Sequence, residues 1–598
     1  MNNTSVSYRV EPHDLAGHRL RITLHIDRPA AEGQTLSLPA WIPGSYLIRD
    51  FSRQIESLTV RDAAGARPVR KLDNHTWQVA PGDGPVTVDY VVYAWDLSVR
   101  GAHVDQHHAF FNGTSVFLQV HGQSHQPCTV ELVAPAGHAD WKVYTSLPAA
   151  PGRAALKANG FGRYQAPDYD ALIDHPVEMG TGQSVSFHAH GARHVMVFTD
   201  APADLDIDRI AADVKSICET QIAFFDPHAR RAPFLDSADR YVFMTQVTPA
   251  GYGGLEHRAS TALMAARGDL PVRGQKDAGD GYRSFLGLVS HEYFHTWHVK
   301  RIKPAAFVPY DLTRPNLTRL LWVFEGFTSY YDDLFLLRAG LISETEYLRL
   351  LARTVSQVHG TPGRLKQSVA ESSFDAWTRY YKQDENSPNA LVSYYTKGSL
   401  VALGMDLMIR SESAGRASLD DVMHVLWTRY GKAFYMGQQT GVPEDAMADI
   451  VQEATGVDLR AFLTQYVDGC ADVPLGDLLG AQGISLQWRA PTVPVIGARL
   501  RKTADGLVVA SILEGGAAHE AGLSADDLIV AIDGIRVDAQ PAFDAALIRA
   551  AASRRSLHIH VFRQSMLQDY VVRVDHTMHT ECVLTRTESA PGPGNVPG

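Results

Sequence analysis

Five consecutive residues, His291-Glu292-Tyr293-Phe294-His295, constrain this chain more than any other stretch. A helix sets residues i and i+4 on one face, so the two imidazoles turn toward one point and can share a zinc ion. Glu292 lies on the same side, where a carboxylate can take a proton from a water that the metal polarises. The flanks agree, because Phe285, Leu286, Leu288, Val289, Phe294 and Trp297 form a proline-free apolar run that buries the rest of such a helix. His519-Glu520 opens the same way but has Leu523 in place of the second histidine and reads as surface. The competing account of His291 and His295 is a pair of buried, hydrogen-bonded histidines.

Catalytic zinc needs a third protein ligand and an open position. His298 shares the face with His291, but seven residues of helical rise separate them by about 10 Å, too far to converge on one ion. Glu325 is the better candidate: it stands in Leu321-Trp322-Val323-Phe324-Glu325-Gly326-Phe327, where a buried charge is costly without a cation. A buried pair with Arg or Lys is the alternative. Asp332 returns to nearly the same face and is a candidate acceptor for the free N–H of a ligating histidine, although a solvated helix face explains Asp332 and Asp333 equally.

Composition excludes several classes. At 598 residues and 45% hydrophobic, the chain can fill three or four domains. A net charge of −11 without a basic stripe argues against a nucleic-acid partner. Cys128, Cys218, Cys470 and Cys582 are far apart, without a CxxC, which points to reduced thiols. The start lacks a basic then apolar leader, and no run of about 18 apolar residues occurs, so a soluble cytoplasmic protein without a membrane partner is expected.

Along the chain, Leu20, Ile22, Leu24 and Ile26 alternate with polar residues as in a strand, and Val86–Val92 and Val116–Val120 repeat the theme. His107 and His108 fall in this part and read as ordinary hydrogen-bonded histidines. From Leu205 the period becomes helical, with Ile207, Ile210, Val214, Ile217 and Phe224 or Phe225 on one stripe. Ser343-Glu344-Thr345-Glu346 has the form of a capping box, and Ser418-Leu419-Asp420-Asp421 opens another helix. Gly253-Gly254-Leu255-Glu256 follows Tyr241-Val242-Phe243-Met244, a candidate edge strand, and its glycines would let a substrate backbone lie close.

These residues resemble the gluzincin metallopeptidases, in which HExxH is followed on a later helix by Glu-Gly-Phe, and more narrowly the glycyl aminopeptidase family. The likeness is carried by Ser290–Trp297 running into Val299-Lys300-Arg301-Ile302-Lys303-Pro304, by Gly253-Gly254-Leu255-Glu256-His257, by Trp41-Ile42-Pro43-Gly44-Ser45-Tyr46 and by Phe110-Phe111-Asn112-Gly113-Thr114-Ser115. It spans most of the chain. The gap of 29 residues between His295 and Glu325 is longer than in aminopeptidase N relatives, so their substrate preference does not carry over.

The resemblance implies His291, His295 and Glu325 as ligands of one zinc per chain, and Glu256 as the group that grips a free α-amine. Tyr394-Tyr395-Thr396-Lys397-Gly398 is similar to a family stretch in which a tyrosine faces the zinc, which implies Tyr395 as donor to the developing oxyanion, with Tyr394 as the fallback. Leu507–Ile512, Gly515–Ala518, Ala521–Leu523 and Asp527–Gly534 resemble a bacterial PDZ domain, whose carboxylate loop would be Ile496-Gly497-Ala498.

The expectation is a multidomain α+β protein. An N-terminal β-sandwich-like domain covers 1–175, a thermolysin-like, mostly helical catalytic domain 176–478, a PDZ-like domain 479–578 and a disordered tail 579–598. The function implied is a zinc aminopeptidase removing small residues, Gly or Ala, from peptides, with protein C-termini as further partners at the PDZ-like domain. The alternatives are a zinc endopeptidase with PDZ-mediated recruitment and a catalytically idle peptide-binding adaptor.

Overall fold

The computed structural model describes residues 5–152, 155–276, 279–432, 440–574 and 580–587. The chain forms two compact units, one built from Met1–Asn316 with Leu426–Val442, the other from Leu317–Val425 with Pro443–Gly598.

In the first unit, Val6–Asp14, Arg19–Ile26 and Val86–Tyr93 bury alternate side chains, as sheets with one wet face require. They lie side by side in a seven-stranded sheet whose further members are Gly162–Ala166, Cys128–Leu132, Ile55–Asp62 and Gly65–Arg67. Leu20, Ile22, Leu24 and Ile26 are fully buried, the face their alternation predicts. A four-stranded sheet runs in the order Lys142–Tyr144, Val177–Gly180, His108–Phe111, Ala102–Val104. A domain boundary at 175 therefore falls short by one strand, since Val177–Gly180 pairs with His108–Phe111.

The same apolar core continues through Val197, Val242, Met244, Leu255 and Ala262 into a five-stranded sheet ordered Gln183–Ala189, Ala192–Thr199, Arg240–Thr248, Ser260–Ala266, Tyr252–Glu256. Here one expectation is corrected. Tyr241–Met244 is no edge strand: it belongs to the central strand, parallel to both neighbours and buried on both faces, which is why its residues are apolar without alternation. The edge is Tyr252–Glu256 itself, the strand that carries the two glycines.

Two helices pack behind this sheet. Ile207–Phe225 buries the predicted stripe of Ile207, Ile210, Val214, Ile217 and Phe225. Asp280–Phe294 is held against it where the Gln221 amide donates to the Ser290 carbonyl at 2.9 Å and the Tyr282 hydroxyl to Asp213 at 2.7 Å.

The second unit is helical before it becomes a sheet. Its long helices are Gly326–Arg338, Glu344–His359 and Thr396–Glu412, and the Ser343/Glu346 capping box at the second is complete. A five-member path of strands, Ala498–Lys502, Leu507–Ile512, Leu528–Ile532, Ser556–Arg563 and Met566–Arg573, shares an apolar core with helix Gln540–Ser553. A tail beginning at 579 is also corrected, because Glu581–Arg586 is a strand paired antiparallel with Ile484–Arg489. Alternating Cys582 and Leu584 supply its buried face; residues 588–598 lie outside the described residues. No described helix is long and apolar enough to cross a membrane.

Candidate active site

The HExxH residues close the Asp280–Phe294 helix, with His295 as its C-cap in a helical backbone conformation. The His291 and His295 rings lie 4.7 Å apart at 86° to one another. His295 Nδ1 donates to the His298 carbonyl at 2.6 Å, which fixes the tautomer and leaves Nε2 for a metal. A backbone carbonyl thus does for His295 what the sequence assigns to Asp332. The signal for it is the turn that follows the motif, invisible as a residue type.

Behind the helix, burial pushes His194 down to about 3, so it is neutral. Its Nδ1 donates to the Ala192 carbonyl, and its Nε2 accepts from the Tyr293 hydroxyl at 2.9 Å. Tyr293 is thereby anchored to the strand Ala192–Thr199.

Glu256 and Glu292 come from different elements, yet their carboxylate oxygens and a ring nitrogen of His295 all lie within 4.8 Å of one another. All three side chains are buried. Glycines make room for them. A Cβ on Gly254 would sit 2.1 Å from Glu292 Oε1, and one on Gly44 would sit 2.5 Å from Glu256 Oε2. Gly44 also has φ +96°, a conformation that L side chains rarely adopt. The Trp41–Tyr46 turn therefore lies directly on the amine-binding candidate. It is pinned by the Trp41 indole donating to the Asp311 carbonyl at 2.9 Å and by Tyr46 stacking on Phe307. Sequence reading missed this role, although the Pro43-Gly44 pair signals the turn. Gly253 adopts φ +155° with nothing within 4 Å of its missing side chain.

A buried ionic network ties the two motifs together. Asp174 accepts from Lys300 at 2.7 Å, from His257 Nδ1 at 3.1 Å and from the Arg258 amide at 3.1 Å. Burial alone would push its carboxyl up; Lys300, the His257 hydrogen bond and Arg258 outweigh that and hold it well below the usual range. Arg301 grips Asp236 through two bonds of 2.8 and 2.6 Å and donates to the carbonyls of Arg258 and Thr296. The Val299–Pro304 segment is thus a clamp between the edge strand and the metal helix.

In the second unit, Glu325 stands at the joint between the short helix Leu321–Phe324 and helix Gly326–Arg338, 2% exposed. Gly326 packs on Gly398, and this contact draws Glu325 toward the Tyr394–Gly398 stretch. Tyr394 is fully buried, Tyr395 half-buried. Tyr395 precedes helix Thr396–Glu412, and its hydroxyl lies 3.1 Å from that of Tyr381. Burial first, then the nearby Glu325 charge, push the Tyr380 phenol up. Tyr380 and Tyr381 went unnoticed in the sequence, where tyrosine is common. Asp332 is half-buried, with its Oδ1 accepting from the Asp333 amide at 2.6 Å. Ile496 is buried, Gly497 has φ +81°, and Ala498 opens the edge strand of its sheet.

Family models match the Peptidase M61 N-terminal domain over residues 7–181, the M61 glycyl aminopeptidase over 284–401 and a PDZ domain over 494–574. A search of curated proteins gives no match. Among solved structures, an aminopeptidase N family protein from Idiomarina loihiensis is 39% identical with a TM-score of 0.91, covering 98% of each chain. An M1 zinc metallopeptidase from Deinococcus radiodurans is 13% identical with a TM-score of 0.47, over 79% of this chain and 94% of that one. The first of these likenesses extends over nearly the full length, and with the three domain matches it makes the assignment plain. The chain belongs to the M61 glycyl aminopeptidase family of metallopeptidases, with zinc as the metal that membership implies.

Proposed function

We propose that this protein removes small N-terminal residues, Gly or Ala, from peptides, using one catalytic zinc held by His291, His295 and Glu325. The donor set fits that ion: two imidazoles and one carboxylate leave a position open, and His295 has its second nitrogen already committed to a carbonyl. Zinc held there supplies a Lewis acid and brings the pKa of a water toward neutrality.

The observation that carries the reading is the convergence of Glu256, Glu292 and His295. Glu292 takes a proton from the attacking water and passes it to the leaving amine. Glu256 receives the substrate's α-ammonium in a buried setting where a charge-assisted hydrogen bond is strong, and so selects a free N-terminus. The Tyr252–Glu256 edge strand offers its backbone to an extended peptide, with Gly253 and Gly254 permitting a close approach. Tyr395 donates to the oxyanion that develops on the scissile carbonyl. Gly44 leaves room for the Glu256 carboxylate, and the preference for small first residues rests on the family resemblance.

Asp332 is proposed as an outer hydrogen-bond partner of a metal ligand other than His295, whose Nδ1 is bonded to the His298 carbonyl. The PDZ domain is proposed to take peptide C-termini along strand Ala498–Lys502, with Ile496-Gly497-Ala498 meeting the carboxylate.

Comparing hydrolysis of glycyl and alanyl peptides with their N-acetylated forms and with leucyl peptides tests the reading. Cleavage of free glycyl or alanyl peptides only is expected; equal cleavage of the blocked peptides contradicts it.

A further inference from the structure

The hairpin formed by strands Ala102–Val104 and His108–Phe111 carries a second set of metal-type donors, far in sequence from the HExxH helix. We propose that His103, Asp105 and His108 bind a divalent ion of the zinc class.

Register brings the three together. Val104 pairs with Ala109 and His103 with Phe110, so the next pair is Asp105 opposite His108, sealed by the Asp105 amide donating to the His108 carbonyl at 3.0 Å. Residues two apart on a strand share a face, and directly opposed residues share it too. His103, Asp105 and His108 therefore present one face, and one donor atom from each lies within 4.8 Å of the others. His103 Nε2 is 3.4 Å from Asp105 Oδ2, and the two histidine rings are 5.0 Å apart.

Asp105 and His108 are oriented by partners outside the cluster, while His103 Nδ1 is buried without a hydrogen-bond partner among the described residues. Asp105 Oδ1 accepts from the amides of His107 and His108 at 2.7 and 2.9 Å, which turns Oδ2 inward. His108 Nδ1 meets Glu178 Oε1 at 3.2 Å, and the Thr199 hydroxyl donates to the same oxygen at 3.0 Å. A carboxylate bonded to one imidazole nitrogen is the arrangement that tunes a histidine for metal binding through the other nitrogen. Glu178 is 2% exposed and its Oε2 has no hydrogen-bond partner among the described residues. Trp95 stacks on His103 at 4.7 Å and covers it from solvent. His108 also lines an open cavity of about 440 Å³ with Leu97, Asp200, Gln246, Thr248 and Arg267, a route for an ion. Two imidazoles with one carboxylate select zinc, nickel, cobalt or copper over magnesium or calcium. The other occupant this geometry allows is a proton shared by His108 with its carboxylate neighbours.

Metal counting on the full chain decides between them. After loading with Zn²⁺ at pH 8 and desalting, wild type is expected to hold two zinc ions, and Asp105→Asn and His103→Gln one each. Glycyl peptide hydrolysis in both variants should stay within about twofold of wild type. Asparagine keeps the oxygen that accepts the two amides, so the hairpin turn survives Asp105→Asn. A His291→Ala protein should still bind one Co²⁺, with visible absorption that vanishes when Asp105→Asn is added. Equal zinc in wild type and Asp105→Asn, with no such absorption from His291→Ala, overturns the proposal and assigns the cluster to a proton. One zinc that Asp105→Asn loses and His291→Ala keeps would uphold it while defeating the proposed catalytic zinc.

Discussion

Gly326 and Gly398 meet backbone to backbone: a Cβ on Gly326 would lie 2.7 Å from the Gly398 Cα, and one on Gly398 would lie 3.0 Å from the Gly326 Cα. Helices Gly326–Arg338 and Thr396–Glu412 thus approach more closely than any side chain permits. Each glycine follows a proposed catalytic residue, Glu325 by one position and Tyr395 by three, so their contact sets the spacing between that carboxylate and that phenol.

Alanine at either position should overpack this contact. Gly326→Ala and Gly398→Ala are each expected to cost about 1–3 kcal/mol of stability. Gly476, in helix Leu475–Gly480 with open space around it, is the control, and Gly476→Ala should not destabilise and is expected to add about 0.4–1 kcal/mol. Urea denaturation of the three variants checks this.

Gly254→Ala acts on the base. The added methyl would meet Glu292 Oε1, and displacing a reacting group by an ångström costs on the order of 10²-fold in rate. A fall in kcat of that size at unchanged zinc content is expected from steady-state kinetics and metal analysis.

How much of this was legible beforehand depends on whether a residue acts through its type or through its surroundings. His291, Glu292 and His295 announce themselves because helix period alone brings them together. Glu325 stands out as a charge in an apolar run. The edge position of Tyr252–Glu256 was not legible, since Tyr241–Met244 looks like a strand in either place, and only parallel pairing on both sides makes it central. Gly44, the His298 carbonyl and Tyr381 act through contacts with residues distant in sequence or through backbone atoms, and neither leaves a local pattern. The His103-x-Asp105-x-x-His108 spacing was present, but it acquires meaning only once a hairpin folds it onto one face.

Tyr395→Phe removes the proposed oxyanion donor. Loss of one such donor costs about 10²–10³-fold in kcat, so a fall in that range with KM little changed is expected. Tyr394→Phe, at a fully buried position, should leave kcat within about fivefold. Steady-state kinetics of both on an alanyl substrate distinguish the register.

Asp174→Asn breaks a buried ionic network and should cost about 3–5 kcal/mol at neutral pH. Because the folded-state carboxyl is held below its unfolded value, its contribution is fully present above about pH 4 and is lost as pH falls through the folded value. The stability difference between wild type and Asp174→Asn is therefore expected to be constant from pH 5 to 7 and to shrink below pH 4, as read from denaturation at each pH.

The most direct test of the account is Glu292→Gln, assayed for metal and turnover on the same preparation. The amide keeps the shape of the side chain and cannot accept the proton, so zinc content equal to wild type and a loss of about 10²-fold or more in kcat are predicted. A zinc-replete Glu292→Gln protein that turns over near the wild-type rate would contradict the mechanism.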